Sequence, residues 1–192
     1  MRENGKVSYQ ESLNSAENRW YAFHTRARHE KRVNERLQDR GVEVFLPLVP
    51  RSRQWHDRKK IVEMPLFPSY VFARAAEGSL VRVLDTPGVA GVVRMAGRAV
   101  PVAEEEIENV RRFAAVIVET GNVPEPEPFF DEGQPVRITS GQLSGVEGLI
   151  VERRGGNRAL LQVGLKAIGQ GLKVEVDQAT LQVISNGRLE WQ

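Results

Sequence analysis

The sequence contains no cysteine. Disulfides and thiolate-bound metals are therefore excluded, and the composition suits a reducing compartment. Histidine is scarce too. His24, His29 and His56 are scattered, with neither an HExxH pair nor a His/carboxylate ligand spacing around them. No G-x-S-x-G nucleophile elbow is present. The glutamates at 104–106 read as a helix N-terminus rather than an acid–base pair. The chain is therefore expected to be no enzyme and to hold no metal or cofactor. Long apolar runs are also missing, and none approaches the ~20 residues of a membrane span. The opening MRENGKVSYQESLNSAEN lacks the apolar centre of a signal peptide. Residues 1–18 read as a disordered tail, no membrane partner is expected, and the expected location is cytoplasmic.

What is present is an ordinary core composition with unevenly placed charge. Hydrophobic residues make up 41% of 192, enough for one domain or two small ones. The formal net charge is only +2. Yet Arg19 to Lys60 holds twelve Lys/Arg against five Asp/Glu, and Ala103 to Glu132 holds nine acids against two arginines. Such segregation fits either a polyanion partner or a solvated surface.

The first part of the chain alternates strand and helix patterns. Trp20 to Thr25 reads as a strand and Arg28 to Arg40 as a helix, with Val33 and Leu37 as an apolar i, i+4 pair. Gly41 sits where a helix-ending glycine belongs. Val42 to Val49 returns to strand composition. PRSRQWHDRKK then sets Trp55 among five basic residues and reads as a hairpin tip or loop. Glu77 to Asp85 is a short helix with Leu80, Val83 and Leu84 inward, stopped by TPG at 86–88. Val89 to Val102 reads as a hairpin. Glu104 to Val118 is an amphipathic helix with Ile107, Val110, Ala114 and Ile117 on one stripe. This order predicts an α+β fold, with helices on an antiparallel sheet.

The stretch PLFPSYVF, from Pro65 to Phe72, puts two prolines into an uncharged aromatic run. The prolines fit a strand entry or bulge, and SYVFA continues as a strand. Alternation puts Pro68, Tyr70 and Phe72 on one side. These rings are either sheet core or the lining of a docking surface.

TGNVPEPEP at 120–128 alternates proline with glutamate and reads as a semi-rigid linker. Beyond it, PVRI, GLIVERR, RALLQVGL, LKVEVD and LQVI are short strands separated by glycine turns, with RRGGN as a hairpin signal. Five such strands suggest a small SH3-like barrel. The expected domains are therefore 19–119 and 129–186.

With these pieces placed, the chain resembles the NusG family of transcription elongation factors. The WY strand start, the basic helix, LFPSYVF and the TPGV turn resemble the NusG N-terminal domain. Phe130 to Glu152, FDEGQPVRITSGQLSGVEGLIVE, is similar to a KOW motif. PLFP is closer to the specialised antiterminators, such as RfaH and the capsule-operon factors, than to the housekeeping member.

The resemblance implies a monomeric factor whose N-terminal domain grips the clamp helices of RNA polymerase. The positions matching that depression are Pro68, Tyr70 and Phe72, with His24 where relatives often have tyrosine. It also implies contact of the basic surface with the non-template DNA strand, through Arg26, Arg28, His29, Lys31, Arg32 and Arg36. Arg28 and Arg32 would share one helix face, as would Arg32 and Arg36. Trp55 is either a base-stacking group or a ring folded back on its hairpin. A His-Thr-Thr patch of some relatives aligns with Ser79 to Arg82 and is absent. Gly141, Gly145 and Gly148 are expected at turns. The KOW domain would recruit a small-subunit ribosomal protein or the termination factor Rho, with Ile168 at the matching contact. Strand alternation in LKVEV predicts that it stays a barrel. The implied function is suppression of pausing and termination on selected operons. Its rivals are a general elongation factor coupled to Rho and an RNA- or ribosome-associated module.

Overall fold

The computed structural model describes residues 18–55, 58–120, 123–124, 126–128 and 133–184. Residues 1–17 of the expected tail at 1–18, and residues 129–132 and 185–186 of the second expected domain, lie outside them. The chain separates into two compact units. One takes in the described residues up to Leu46 together with Ser69–Pro101; the other takes in Pro47–Pro68 and the described residues from Val102 onward.

The first unit is an antiparallel sheet with helices. Its strands are β1 (Arg19–Thr25), β2 (Val44–Phe45), β5 (Tyr70–Ala75) and β6 (Val89–Val92), in the order β2-β5-β1-β6. Strand β1 pairs with β5 so that Ala22 faces Phe72, Phe23 faces Val71 and His24 faces Tyr70. Directly opposed residues point to the same side. Tyr21, Phe23, Val71 and Ala73 therefore share one face. They form a core with Val33 and Leu37 of α1 (Glu30–Asp39) and Leu80 and Val83 of α2 (Leu80–Leu84). A 3₁₀ turn at Glu77–Ser79 leads into α2.

Helix α1 ends as its sequence predicts. Gly41 has φ +73°, its N–H bonds to the carbonyl of Gln38, and the Val42 N–H reaches back to Leu37. This paired bonding is the Schellman arrangement, with Val42 packed on the same core. The start differs from expectation. Arg28 lies outside the helix with φ +63°, and His29 precedes the first turn without a side-chain cap. The left-handed residue turns the chain sharply from β1 into α1, so Arg28 and Arg32 are not a helical i, i+4 pair.

Gly88 is needed at the turn after α2. Its φ is +104°, and an added Cβ would lie 2.9 Å from Val33 Cγ2 and 3.0 Å from His29 Nδ1. Two short strands, β7 (Arg94–Met95) and β8 (Arg98–Ala99), form a small hairpin, and β9 (Pro101–Val102) falls at the division between the units.

The second unit contains the hairpin of β3 (Leu48–Trp55) and β4 (Arg58–Pro65), helix α3 (Glu104–Thr120) and the C-terminal strands. The expected strand from Val42 to Val49 is split: its first half joins the first unit's sheet and its second half begins β3. The stretch Pro65 to Phe72 likewise spans a strand end, a turn and a new strand. Helix α3 buries Ile107, Val110, Phe113, Ala114 and Ile117.

The C-terminal strands are β10 (Glu127–Pro128), β11 (Gln134–Ile138), β12 (Glu147–Arg154), β13 (Arg158–Leu165), β14 (Gln170–Asp177) and β15 (Leu181–Val183). They form one antiparallel sheet in the order β10-β14-β13-β12-β11-β15. Ala159, Leu161, Val163 and Leu165 alternate inward along β13. The RRGGN hairpin forms where it was read, closing with Arg154 opposite Arg158. Two details differ from the sequence reading. Glu127 and Pro128, assigned to the linker, form an edge strand on β14, a position that tolerates proline. Gly148 lies within β12 opposite Val136 rather than in a turn, whereas Gly141 and Gly145 do occupy turns with positive φ.

Candidate functional site

The end of the β1–β5 pair brings two expected site residues together. The rings of His24 and Tyr70 lie 4.6 Å apart and tilted by 43°. His24 is exposed and Tyr70 half-buried. Burial pushes the Tyr70 hydroxyl above the usual phenol range, so it is a neutral donor at ordinary pH. Such a pair offers apolar ring area with polar tips at its edge.

Phe72 behaves differently from the lining residue that was expected. It is 0% exposed and packs on Phe45, with ring centroids 6.1 Å apart. Its cross-strand partner is Ala22, also fully buried, and Trp20 further along that face is 1% exposed beneath the Arg74 guanidinium. A small residue opposite a large one lets the ring lie inside the sheet layer. Phe72 is thus interior support beside the exposed pair. Pro68 is exposed, two residues before Tyr70 in the chain.

The turn entering β5 is held by polar bonds. Ser69 has φ +65°. Its N–H donates to Glu30 Oε1 at 2.8 Å, and its carbonyl accepts the Thr25 N–H at 2.9 Å. Glu30 is 6% exposed and lies in the first turn of α1. In the sequence a glutamate in a helix's first turn is explained by the helix dipole alone. Nothing local signals a bond 39 residues away.

The basic surface forms from the β1–α1 turn and α1. Arg26 and Arg28 are exposed in the turn, and Lys31, Arg32 and Arg36 are exposed on α1. Arg36 also donates to the Pro87 carbonyl at 2.5 Å. His29 departs from this group: it is half-buried, its Nδ1 is shielded, and its ring lies against Gly88. It supports the turn rather than presenting a contact. On the same unit, Ser79 and Arg82 line a cleft of about 650 Å³ with Arg40, Arg74, Glu43 and Asp85.

Trp55 and Ile168 belong to the second unit. The backbone of Trp55 pairs with Arg58 at the hairpin end, as its sequence suggested, while its side chain lies outside the described part of the structure. Ile168 is half-buried in a 3₁₀ turn at Lys166–Ile168. Helix α3 addresses neighbouring backbone groups of the C-terminal module. Asn109 Oδ1 accepts the Glu147 N–H at 3.0 Å, Arg112 Nη1 donates to the Gly145 carbonyl at 2.9 Å, and Glu106 Oε1 accepts the Lys166 N–H at 3.4 Å. Among the described residues, no group of three His, Asp or Glu could hold a metal ion, and no helix is long and apolar enough to cross a membrane.

Residues 18–111 match the family model described as transcription termination factor nusG. A transcription termination/antitermination protein NusG of Deinococcus radiodurans is 30% identical over 181 residues, covering 82% of this chain and 95% of that protein. The protein of the same name from Pseudomonas aeruginosa is 26% identical over 178 residues, covering 86% and 98%. A solved structure titled "Domain interaction in Thermotoga maritima NusG" is 24% identical, covers 88% of this chain and 98% of its own, and aligns with a TM-score of 0.44. The chain belongs to the NusG family of transcription termination and antitermination factors, which are not enzymes and act with RNA polymerase.

Proposed function

We propose that this chain docks on the clamp helices of RNA polymerase through the His24–Tyr70 end of the β1–β5 pair and suppresses pausing. The observation that supports it most is the accessible ring pair, 4.6 Å apart, at the edge of an otherwise buried sheet face. Helix-in-groove binding uses such amphipathic rings as anchors. Pro68 stands two residues before Tyr70 in the chain, and Phe72 carries the pair from within.

Arg26, Arg28, Lys31, Arg32 and Arg36 then lie along the non-template strand, making phosphate contacts that add affinity without reading sequence. Trp55 adds a stacking group from its hairpin. Binding that favours the closed, processive polymerase shifts the population away from paused states; equal binding to both would shift nothing. The KOW module, with Ile168 at its contact, brings a ribosomal protein or Rho to the same complex at a concentration set by the linker.

Titration of core polymerase with the purified chain tests this reading. Tyr70→Ala is expected to weaken binding by about 2 kcal/mol, roughly thirtyfold, while the thermal transition remains. Unchanged affinity would remove the docking role. Operon selectivity, supported by the Pro65 to Phe72 stretch, is separable by genome-wide occupancy mapping: occupancy confined to a few operons supports it, and uniform occupancy supports the general factor.

A further inference from the structure

We infer that Glu30 is a positioning residue that holds the Ser69 turn, and with it the His24–Tyr70 pair, in the geometry needed for docking. A carboxylate is an unusual group to bury, and it is retained where strong donors reach it. Here the donor is the Ser69 N–H, at 2.8 Å. Ser69 has φ +65°, a conformation that a non-glycine residue keeps only when its surroundings impose it. Two bonds impose it: the one to Glu30, and the bond from the Thr25 N–H to the Ser69 carbonyl. The Ser69 peptide thereby ties three things together. These are the first turn of α1, the end of β1 beside His24, and the first residue of β5, Tyr70. Arg26 and Arg28 leave the same turn into α1, and Arg26 N–H is itself fixed by the Gly88 carbonyl. One buried carboxylate thus sets the ring pair and the start of the basic surface in a single arrangement.

The polymerase arm of this inference rests on the proposed docking role; the geometric arm does not. The test uses the full chain and three variants. Glu30→Gln keeps the accepting oxygen, Glu30→Asp keeps the charge but withdraws it, and Glu30→Ala removes the acceptor. Each is studied well below its unfolding transition. Amide hydrogen exchange at Ser69 and ring–ring contacts between His24 and Tyr70 are read by NMR, and affinity for core polymerase by titration.

Glu30→Ala is expected to speed Ser69 exchange and weaken polymerase binding by about tenfold each, the loss of one charge-assisted hydrogen bond. Glu30→Asp follows the same direction, and Glu30→Gln stays within about threefold of the parent. Should Glu30→Ala fail to fold, Glu30→Asp decides. Unchanged Ser69 protection and unchanged affinity in the folded variants would overturn the inference, as would a Glu30→Gln variant as impaired as Glu30→Asp. If the parent itself fails to bind polymerase, the docking proposal falls, and Ser69 protection still decides whether Glu30 positions the turn.

Discussion

Tyr70 and Phe72 are two residues apart and share a sheet face, yet their environments ask for different experiments. Phe72 is enclosed, and truncating it leaves a cavity. Phe72→Ala is expected to cost about 3–5 kcal/mol of stability, visible as a large drop in the denaturant midpoint. Tyr70→Ala, at a half-buried ring, is expected to lower that midpoint by much less. A double substitution would confuse the two effects. Burial also raises the phenol pKa of Tyr21 and Tyr70. Folding therefore favours their protonated forms. Stability from this source is fully present below the ordinary tyrosine pKa of about 10 and falls as pH rises beyond it. Denaturation followed across alkaline pH should show that decline, and its absence would mean that neither phenol is shielded. Sequence alternation paired Tyr70 with Phe72 correctly, but it could not separate them, because their exposure depends on what stands opposite: His24 in one case and Ala22 in the other.

At the scale of elements, local chemistry was most legible where one residue decides the geometry. Gly41 ended α1 and the TPG turn ended α2, since each needs a backbone that other residues adopt poorly. Replacing Gly88 with alanine should destabilise the chain by roughly 1–3 kcal/mol in a melt, from strained φ and contact with Val33 and His29. The start of α1 was less legible, because the left-handed turn falls on Arg28 rather than on a glycine, beside an Arg26 N–H that bonds to the distant Gly88 carbonyl. The same holds for Asn109 and Arg112. As polar residues on an amphipathic helix they carry no local sign of a partner, yet they bond to backbone groups of the C-terminal module. Asn109→Ala is expected to speed amide exchange at Glu147 by about fivefold to tenfold, the loss of one neutral hydrogen bond. No change there would mean that the bond is not maintained in solution.

For the whole molecule, the α+β class and the β-rich C-terminal module were visible in the order of patterns. The grouping of α3 with the C-terminal strands was not, because an amphipathic stripe states that a helix is buried but not against what. The proposed nucleic-acid surface makes a quantitative claim at this scale. Each phosphate contact removed from the Lys31–Arg32 region should lower the slope of log affinity against log salt by about 0.7 for a single strand. An unchanged slope would place these side chains away from DNA. The central claim joins both surfaces in one act, holding polymerase in its processive state. It is tested most directly by a pause assay with purified polymerase, comparing the parent chain with Tyr70→Ala. The parent should shorten pauses, and the folded variant should leave them as long as in the chain's absence. Equal shortening by both would contradict the account.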